Sequence, residues 1–218
     1  AGTMTTATGL VFFGDDAQNL AIHTADLVGN VRINHPQIKL DAEQLAMNFI
    51  ENAGDRAQPD LESLHAAGSV HATLNDSHGK PQSIQCQTLD LSTDQSRTSR
   101  VRYIKQMVAD GQVRAYGPDQ EIRAGHLDAV MVPTASTTQP SANQPLAAVQ
   151  LEHLLAQKDV HVRGRDGGSA DAQSLQVTMD GTEASRVILK GQPERVIKGQ
   201  VIAEIDSKRT RLMRAWSR

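Results

Sequence analysis

The apolar positions of this chain recur in a unit of about 40 residues, which is the signature of a repeat architecture. One pattern, two apolar residues followed by Ala and then Val, aligns without gaps in three segments that begin at Leu61, Ile104 and Leu151. A looser copy runs from Ile22 to Val31. A second pattern follows each copy, and its small residue stands at Ala42, Cys86, Ala124 and Ala172, which are separated by 44, 38 and 48 residues. The chain is therefore predicted to be a series of similar units joined by loops of variable length.

Within each unit the apolar residues alternate with polar ones, as a strand with one buried face requires. Val113 and Ala115 fall on one face, for example, and Arg114 falls on the other. Turn-forming residues come next, such as the Asn-His-Pro-Gln run at 34–37 and the Gly-rich run at 164–168. Each unit is therefore predicted to be a β-hairpin.

The second pattern contains a slip in its period of two. Leu40 and Ala42 share a face, but Leu45 and Met47 fall on the odd phase, so the slip lies between Ala42 and Leu45. The same slip recurs at the matching place of the other three units. A slip at one fixed place predicts a bulge or corner at which each strand bends while its apolar face stays inward.

These patterns predict an all-β fold, an elongated and open β-jellyroll built from about four to five hairpin repeats of roughly 40 residues. Two alternatives stay open. A β-propeller has blades of this length, although the chain has one Trp and no Trp-Asp signature. An α/β repeat is compatible with residues 61–68 and 146–157, whose composition suits short helices, and any helix is expected near 146–157.

The predicted boundaries follow from the extent of the repeats. Residues 10–213 are expected to form a single β-jellyroll domain, with a Pro-, Thr- and Ser-rich loop inserted at 133–145. Residues 1–9 are expected to be a flexible N-terminus and residues 214–218 a C-terminal tail.

Composition and charge exclude several classes of protein. The formal net charge of −3 argues against a nucleic-acid partner. A single Cys excludes an internal disulfide framework, and no apolar stretch approaches the length of a membrane-spanning helix. Charge is uneven, because residues 190–218 hold eight basic and three acidic side chains.

The sequence gives little indication of catalytic or metal-binding residues. The eight histidines form no metal-ligand spacing, and His71 and His161 are expected to point outward. Cys86 stands where the other units have Ala, so it is interpreted as a small core residue. The sequence lacks a nucleophile elbow and a Gly-rich phosphate loop, so we expect neither an enzyme nor a metal or cofactor.

The order and recurrence of the two patterns resemble the OstA-like β-jellyroll family of periplasmic lipopolysaccharide-transport proteins, the type represented by LptA, LptC and the N-terminal domain of LptD. The segment from Leu189 to Ile202 resembles the closing repeat of that family, and the resemblance spans about residues 10–213. Lys158 departs from the pattern, because the other units have Gly there.

This resemblance implies a periplasmic bridge protein of lipopolysaccharide transport and outer-membrane biogenesis, which shields the acyl chains of lipid A in an apolar groove. The implied partners are lipopolysaccharide or a related glycolipid, other jellyroll proteins of the bridge, and further copies of the chain joined head to tail. The alternative is a non-enzymatic structural or adhesive repeat module with a closed core and no lipid.

The apolar residues on the interior stripe are the expected lipid-binding residues: Val31, Ile33, Leu45, Met47, Phe49, Leu89, Leu91, Val113, Leu127, Val160, Val162, Leu175 and Val177. A strand edge for self-association or for a partner is expected at Val201, Ala203 and Ile205. The opposite edge is expected near residues 10–24.

Overall fold

The structure of the chain is a computed structural model. It describes residues 3–5, 8–13, 22–34, 38–50, 60–75, 81–96, 102–117, 120–134, 149–165, 167–181, 183–191 and 202–206. Every regular element in these ranges is a β-strand. The fold is therefore all-β, as predicted.

Twelve strands follow one another along the described residues. They are β1 (Thr3–Thr5), β2 (Thr8–Phe13), β3 (Ile22–Asn34), β4 (Ile38–Ile50), β5 (Asp60–Asn75), β6 (Pro81–Gln95), β7 (Arg102–Tyr116), β8 (Gln120–Pro133), β9 (Val149–Gly164), β10 (Ser169–Asp180), β11 (Glu183–Lys190) and β12 (Ile202–Asp206).

The strands form one antiparallel sheet that stays open at both ends. From β3 to β12 each strand pairs with its neighbours in sequence, so the sheet is a continuous meander. At the first edge, β1 pairs with residues 32–34 of β3 and β2 pairs with residues 22–28. β1 and β2 therefore occupy together the place of one interrupted strand.

The stretch that suited a helix by composition is strand instead. β9 begins at Val149, and its residues Leu154 and Ala156 are buried. Pairing with β8 and β10 on both sides fixes the extended backbone, which outweighs local helix propensity.

Within segment 1–9, which was expected to be flexible, residues 3–5 form β1 and pair with β3.

The predicted corner is confirmed in the four hairpins from β3 to β10. Ala42 and Leu45 are both buried although an odd number of positions separates them, and the same is true of Ala124 and Leu127. The described strands belong to a single sheet, so both sides of the corner are buried only because the sheet folds back on itself. The result is the elongated open β-jellyroll.

The first strand of each hairpin carries the extra residue at the corner. Between the pairs Val28↔Gln44 and Val31↔Ala42, β3 advances three positions while β4 advances two. Two consecutive residues in the left-handed region make each such bulge: Gly29 and Asn30, Gly68 and Ser69, Gly111 and Gln112, and Lys158 and Asp159. A glycine relieves the strain in the first three corners, whereas the fourth has none.

Candidate functional site

The corners divide the folded sheet into two arms with one shared interior. The turn arm holds the ends of the strands that meet in hairpin turns, as between β3 and β4. The loop arm holds the opposite ends, which lead to the connections between hairpins, as between β4 and β5. The apolar faces of both arms point into the space between them, and this space is the candidate site.

The deep layer of the interior lies beside the corners and is filled by the chain itself. Six of the predicted lipid-binding residues belong to it, each with an exposed fraction of at most 1%: Val31, Leu45, Leu89, Val113, Leu127 and Val160. Three more, Met47, Leu91 and Leu175, are also buried. These side chains form the packed core of the interior.

The deep layer is packed by alternating large and small residues. Leu127 pairs with Ala109 on one side and with Ala156 on the other. Cys86 occupies one of the small positions, beside Val70, and is buried as predicted. Burial raises the pKa of the Cys86 thiol to about 11, with a further contribution from Asp110. Cys86 is thus held as a neutral core residue.

The interior also contains apolar residues that are only partly buried, and we call this set the mouth. They lie on both arms and pack against the deep layer: Ile33, Ile38, Leu74, Ala115 and Val162 on the turn arm, and Phe49, Leu61, Met107, Met131, Leu151, Val177, Val187 and Leu189 on the loop arm. Four of the predicted lipid-binding residues, Ile33, Phe49, Val162 and Val177, belong to this mouth. Partly exposed apolar side chains therefore occur along the interior on both arms.

Sequence reasoning missed most of the mouth. Leu61, Met107 and Leu151 belong to the first strand of their hairpins, whereas the predicted loop-arm residues all come from second strands. The alternation of apolar positions in the first strands carried the signal that would have identified them.

At each junction between hairpins, a glycine on one strand makes room for a larger side chain on the other strand. A Cβ atom at Gly68 would lie 2.6 Å from the Glu43 side chain, and one at Gly111 would lie 2.7 Å from Gln87. At the third junction the roles are exchanged, because a Cβ atom at Gly125 would lie 2.8 Å from the Cβ of Lys158. The departure at Lys158 is therefore matched by a glycine on the neighbouring strand.

The outer faces carry the polar side chains, several of them joined across strands. In three such pairs a histidine Nδ1 lies close to an aspartate Oδ1. The distances are 2.6 Å for His65 and Asp90, 2.8 Å for His126 and Asp110, and 2.8 Å for His161 and Asp171. A depression of about 410 Å³ lies on the outer side of the loop arm, where Asn48 donates to Ser63. His71 is exposed, as predicted. No group of three or more potential metal ligands occurs among the described side chains.

The two ends of the sheet differ in what the structure describes. Ala203 pairs with Leu189 and Ile205 with Val187, so both predicted edge residues lie in β12. Val201 lies outside the described residues. At the opposite end, β2 runs from Thr8 to Phe13 and overlaps the expected edge region, 10–24, at residues 10–13. In the part of the chain that the structure describes, no helix is long and apolar enough to cross a bilayer.

Comparisons with known proteins add one structural likeness. No family model and no curated protein matches the chain. Among solved structures, the chain is similar to LptH from Pseudomonas aeruginosa, the LptA-homologous periplasmic component of the lipopolysaccharide transport device. The TM-score is 0.40 and the identity 12%, over 69% of this chain and 93% of LptH. The fold assignment rests on the strands and their pairing.

Proposed function

We propose that the chain is a non-catalytic periplasmic carrier that shelters lipid acyl chains in the groove between its two arms, and that its ligand is lipopolysaccharide or a related glycolipid. The observation that carries this proposal is the strip of partly buried apolar side chains along the mouth. It includes Ile33 and Val162 on one arm and Phe49 and Met107 on the other.

The physical argument is one of transfer from water. Each acyl methylene that leaves water for an apolar surface gains about 0.8 kcal/mol. The mouth residues would cover such a chain from both arms while the sugars and phosphates stay in solvent. The sheet is open at both ends, so a groove of this kind continues from one end of the described strands to the other.

The proposed role has consequences for the partners of the chain. Other jellyroll proteins, or further copies of this chain, would extend the groove by joining at the strand edges, since unpaired edges readily accept another strand. Val201, Ala203 and Ile205 remain the proposed contact residues at the C-terminal edge.

A second candidate is a structural or adhesive repeat module without a ligand. The filled deep layer favours it, because residues such as Leu89 and Leu127 leave their positions beside the corner fully occupied. In that case the mouth would be the incompletely covered margin of an ordinary core.

Thermal unfolding in the presence of lipid A separates the two functions. A carrier is stabilised in proportion to the logarithm of the lipid concentration, because the ligand binds only the folded state. The matched control is the deacylated sugar of the same lipid, which should have no effect. Equal melting temperatures with and without lipid A would leave the structural module as the function.

A further inference from the structure

A row of outward side chains crosses the turn arm from β3 to β10. In order of their pairing along the sheet, the row consists of Arg32, Asp41, His71, Gln85, Arg114, Arg123, His161 and Asp171. All of these side chains are exposed or partly exposed. The row therefore forms a continuous polar surface on the outside of the groove.

Each end of this row carries a carboxylate beside a basic side chain. Arg32 Nε lies 2.5 Å from Asp41 Oδ1, and His161 Nδ1 lies 2.8 Å from Asp171 Oδ1. In the centre the arrangement is different, because Arg114 and Arg123 stand directly opposite each other on β7 and β8. Directly opposed residues have Cβ atoms about 5 Å apart, and like charges at that position are destabilising.

The next row toward the hairpin turns adds to the positive charge. Arg163 pairs with Glu121, and Glu121 pairs with Tyr116. The Glu121 carboxylate accepts a hydrogen bond from Arg123 Nε at 2.5 Å. The pKa of Glu121 is lowered first by that bond and further by the charges of Arg163 and Arg114, which places both of these cations near it.

One carboxylate does not balance three guanidinium groups. Among the described residues, neither Arg114 nor Arg163 has a carboxylate within ion-pair distance. Within the part of the chain that the structure describes, two positive charges of the cluster formed by Arg114, Arg123 and Arg163 are therefore uncompensated. Close like charges cost stability unless an anion lies between them.

We propose that this arginine cluster is a binding site for a phosphate monoester. Guanidinium groups match phosphate oxygens in a bidentate geometry, and a phosphate monoester brings about twice the negative charge of a carboxylate or chloride. A phosphate monoester carries a charge near −2 at neutral pH, which equals the excess of the cluster. The half-buried Tyr116 stands beside it as an additional hydroxyl donor. The site lies outside the groove, so it does not depend on acyl chains in the interior.

Calorimetric titration with phenyl phosphate tests the site in the full chain. We expect Arg114→Gln and Arg163→Gln each to weaken binding by about tenfold or more, because each removes a charge-assisted hydrogen bond. The matched control is Arg32→Gln on the same row, whose arginine is already paired with Asp41, and it should bind like the wild type. Thermal melts of each variant confirm that the fold is retained.

Two further assays identify the source of the phosphate and the specificity of the site. Co-sedimentation with phosphatidylcholine vesicles that contain phosphatidic acid reports a lipid headgroup, whereas binding of phenyl phosphate alone reports a soluble phosphate ester. Binding in either assay supports the site if Arg114→Gln abolishes it. Acetate binding as strong as phosphate binding, equal losses of binding in Arg32→Gln and Arg114→Gln, or no binding in either assay would overturn the proposal.

Discussion

The deep layer and the mouth of the groove are built from the same types of residue, yet they differ in what covers them. Leu127 and Leu89 are enclosed by the chain itself, whereas Met107 and Phe49 are only partly buried. Distance from the corner does not explain the difference, because Met107 pairs with Leu91 and Ala129, which are both buried. Apolar character and strand register alone therefore do not distinguish a buried residue from a partly exposed one. The packing of the folded sheet does.

The largest effect is expected in the deep layer. Leu127→Ala should lower the free energy of unfolding by about 2–5 kcal/mol, because it removes buried methylenes and leaves a cavity among small neighbours. Val130→Ala on the outer face of the same strand is the control and should cost less than about 1 kcal/mol. Urea denaturation measures both. Similar losses in the two variants would show that the corner does not create a distinct layer.

The next effect concerns the corner itself. Gly125→Gln should lower stability by about 1–3 kcal/mol, because its side chain would collide with Lys158. Lys158→Gly should restore it in the double variant, since this exchange reproduces the arrangement of Gln87 and Gly111. A double-mutant cycle measures the coupling. Additive losses would mean that the exchange of roles at the third junction is coincidental.

A smaller effect on stability is expected at the mouth. Met107→Gln should cost less than about 1.5 kcal/mol, because the side chain is only partly covered. It should nevertheless reduce the stabilisation of the chain by lipid A, whereas Val108→Gln on the outer face should leave that stabilisation unchanged. Thermal melts with and without lipid A provide both readings. A loss of stability as large as that of Leu127→Ala would remove the distinction between the layers.

The smallest effect at neutral pH is expected at Cys86. Cys86→Ala should change stability by less than about 1.5 kcal/mol, because alanine fills the equivalent position in three other hairpins. Burial raises the pKa of the Cys86 thiol from its ordinary value of 9.0 to about 11, so the stability contributed by the neutral thiol is present below pH 9 and lost as the pH rises toward 11. Wild type should therefore lose stability relative to Cys86→Ala over that interval. A constant difference between pH 8 and 11 would contradict a buried neutral thiol.

The hairpins and their corners were predictable because they depend on local patterns. The slip between Ala42 and Leu45 recurs in every unit, and it located the bend from the sequence alone. The left-handed pair on the first strand was harder to predict, because Lys158 and Asp159 adopt it without glycine. Their placement depends on Gly125, a residue of the adjacent strand, and such cross-strand compensation has no local signature.

The division of the interior could not be predicted from the alternation of residues. Val31 and Ile33 are both apolar positions on the same face, but the first is buried and the second is partly exposed. Leu40, the partner of Ile33 on the next strand, is fully buried, so what separates these positions is the packing of the folded sheet. The arginine cluster is similar, since Arg114 and Arg163 become neighbours of Glu121 only through the register of β7, β8 and β9.

Photocrosslinking to lipid A tests the central claim, that acyl chains lie along the mouth of the groove. A photoreactive residue at Met107 faces the interior, whereas one at Val108 lies on the outer face of the same strand, between Asp90 and Asp128. The account predicts strong crosslinking from position 107 and little from position 108, with Phe49 behaving like Met107. Equal crosslinking from positions 107 and 108, or none from position 107 in a folded chain, would contradict it.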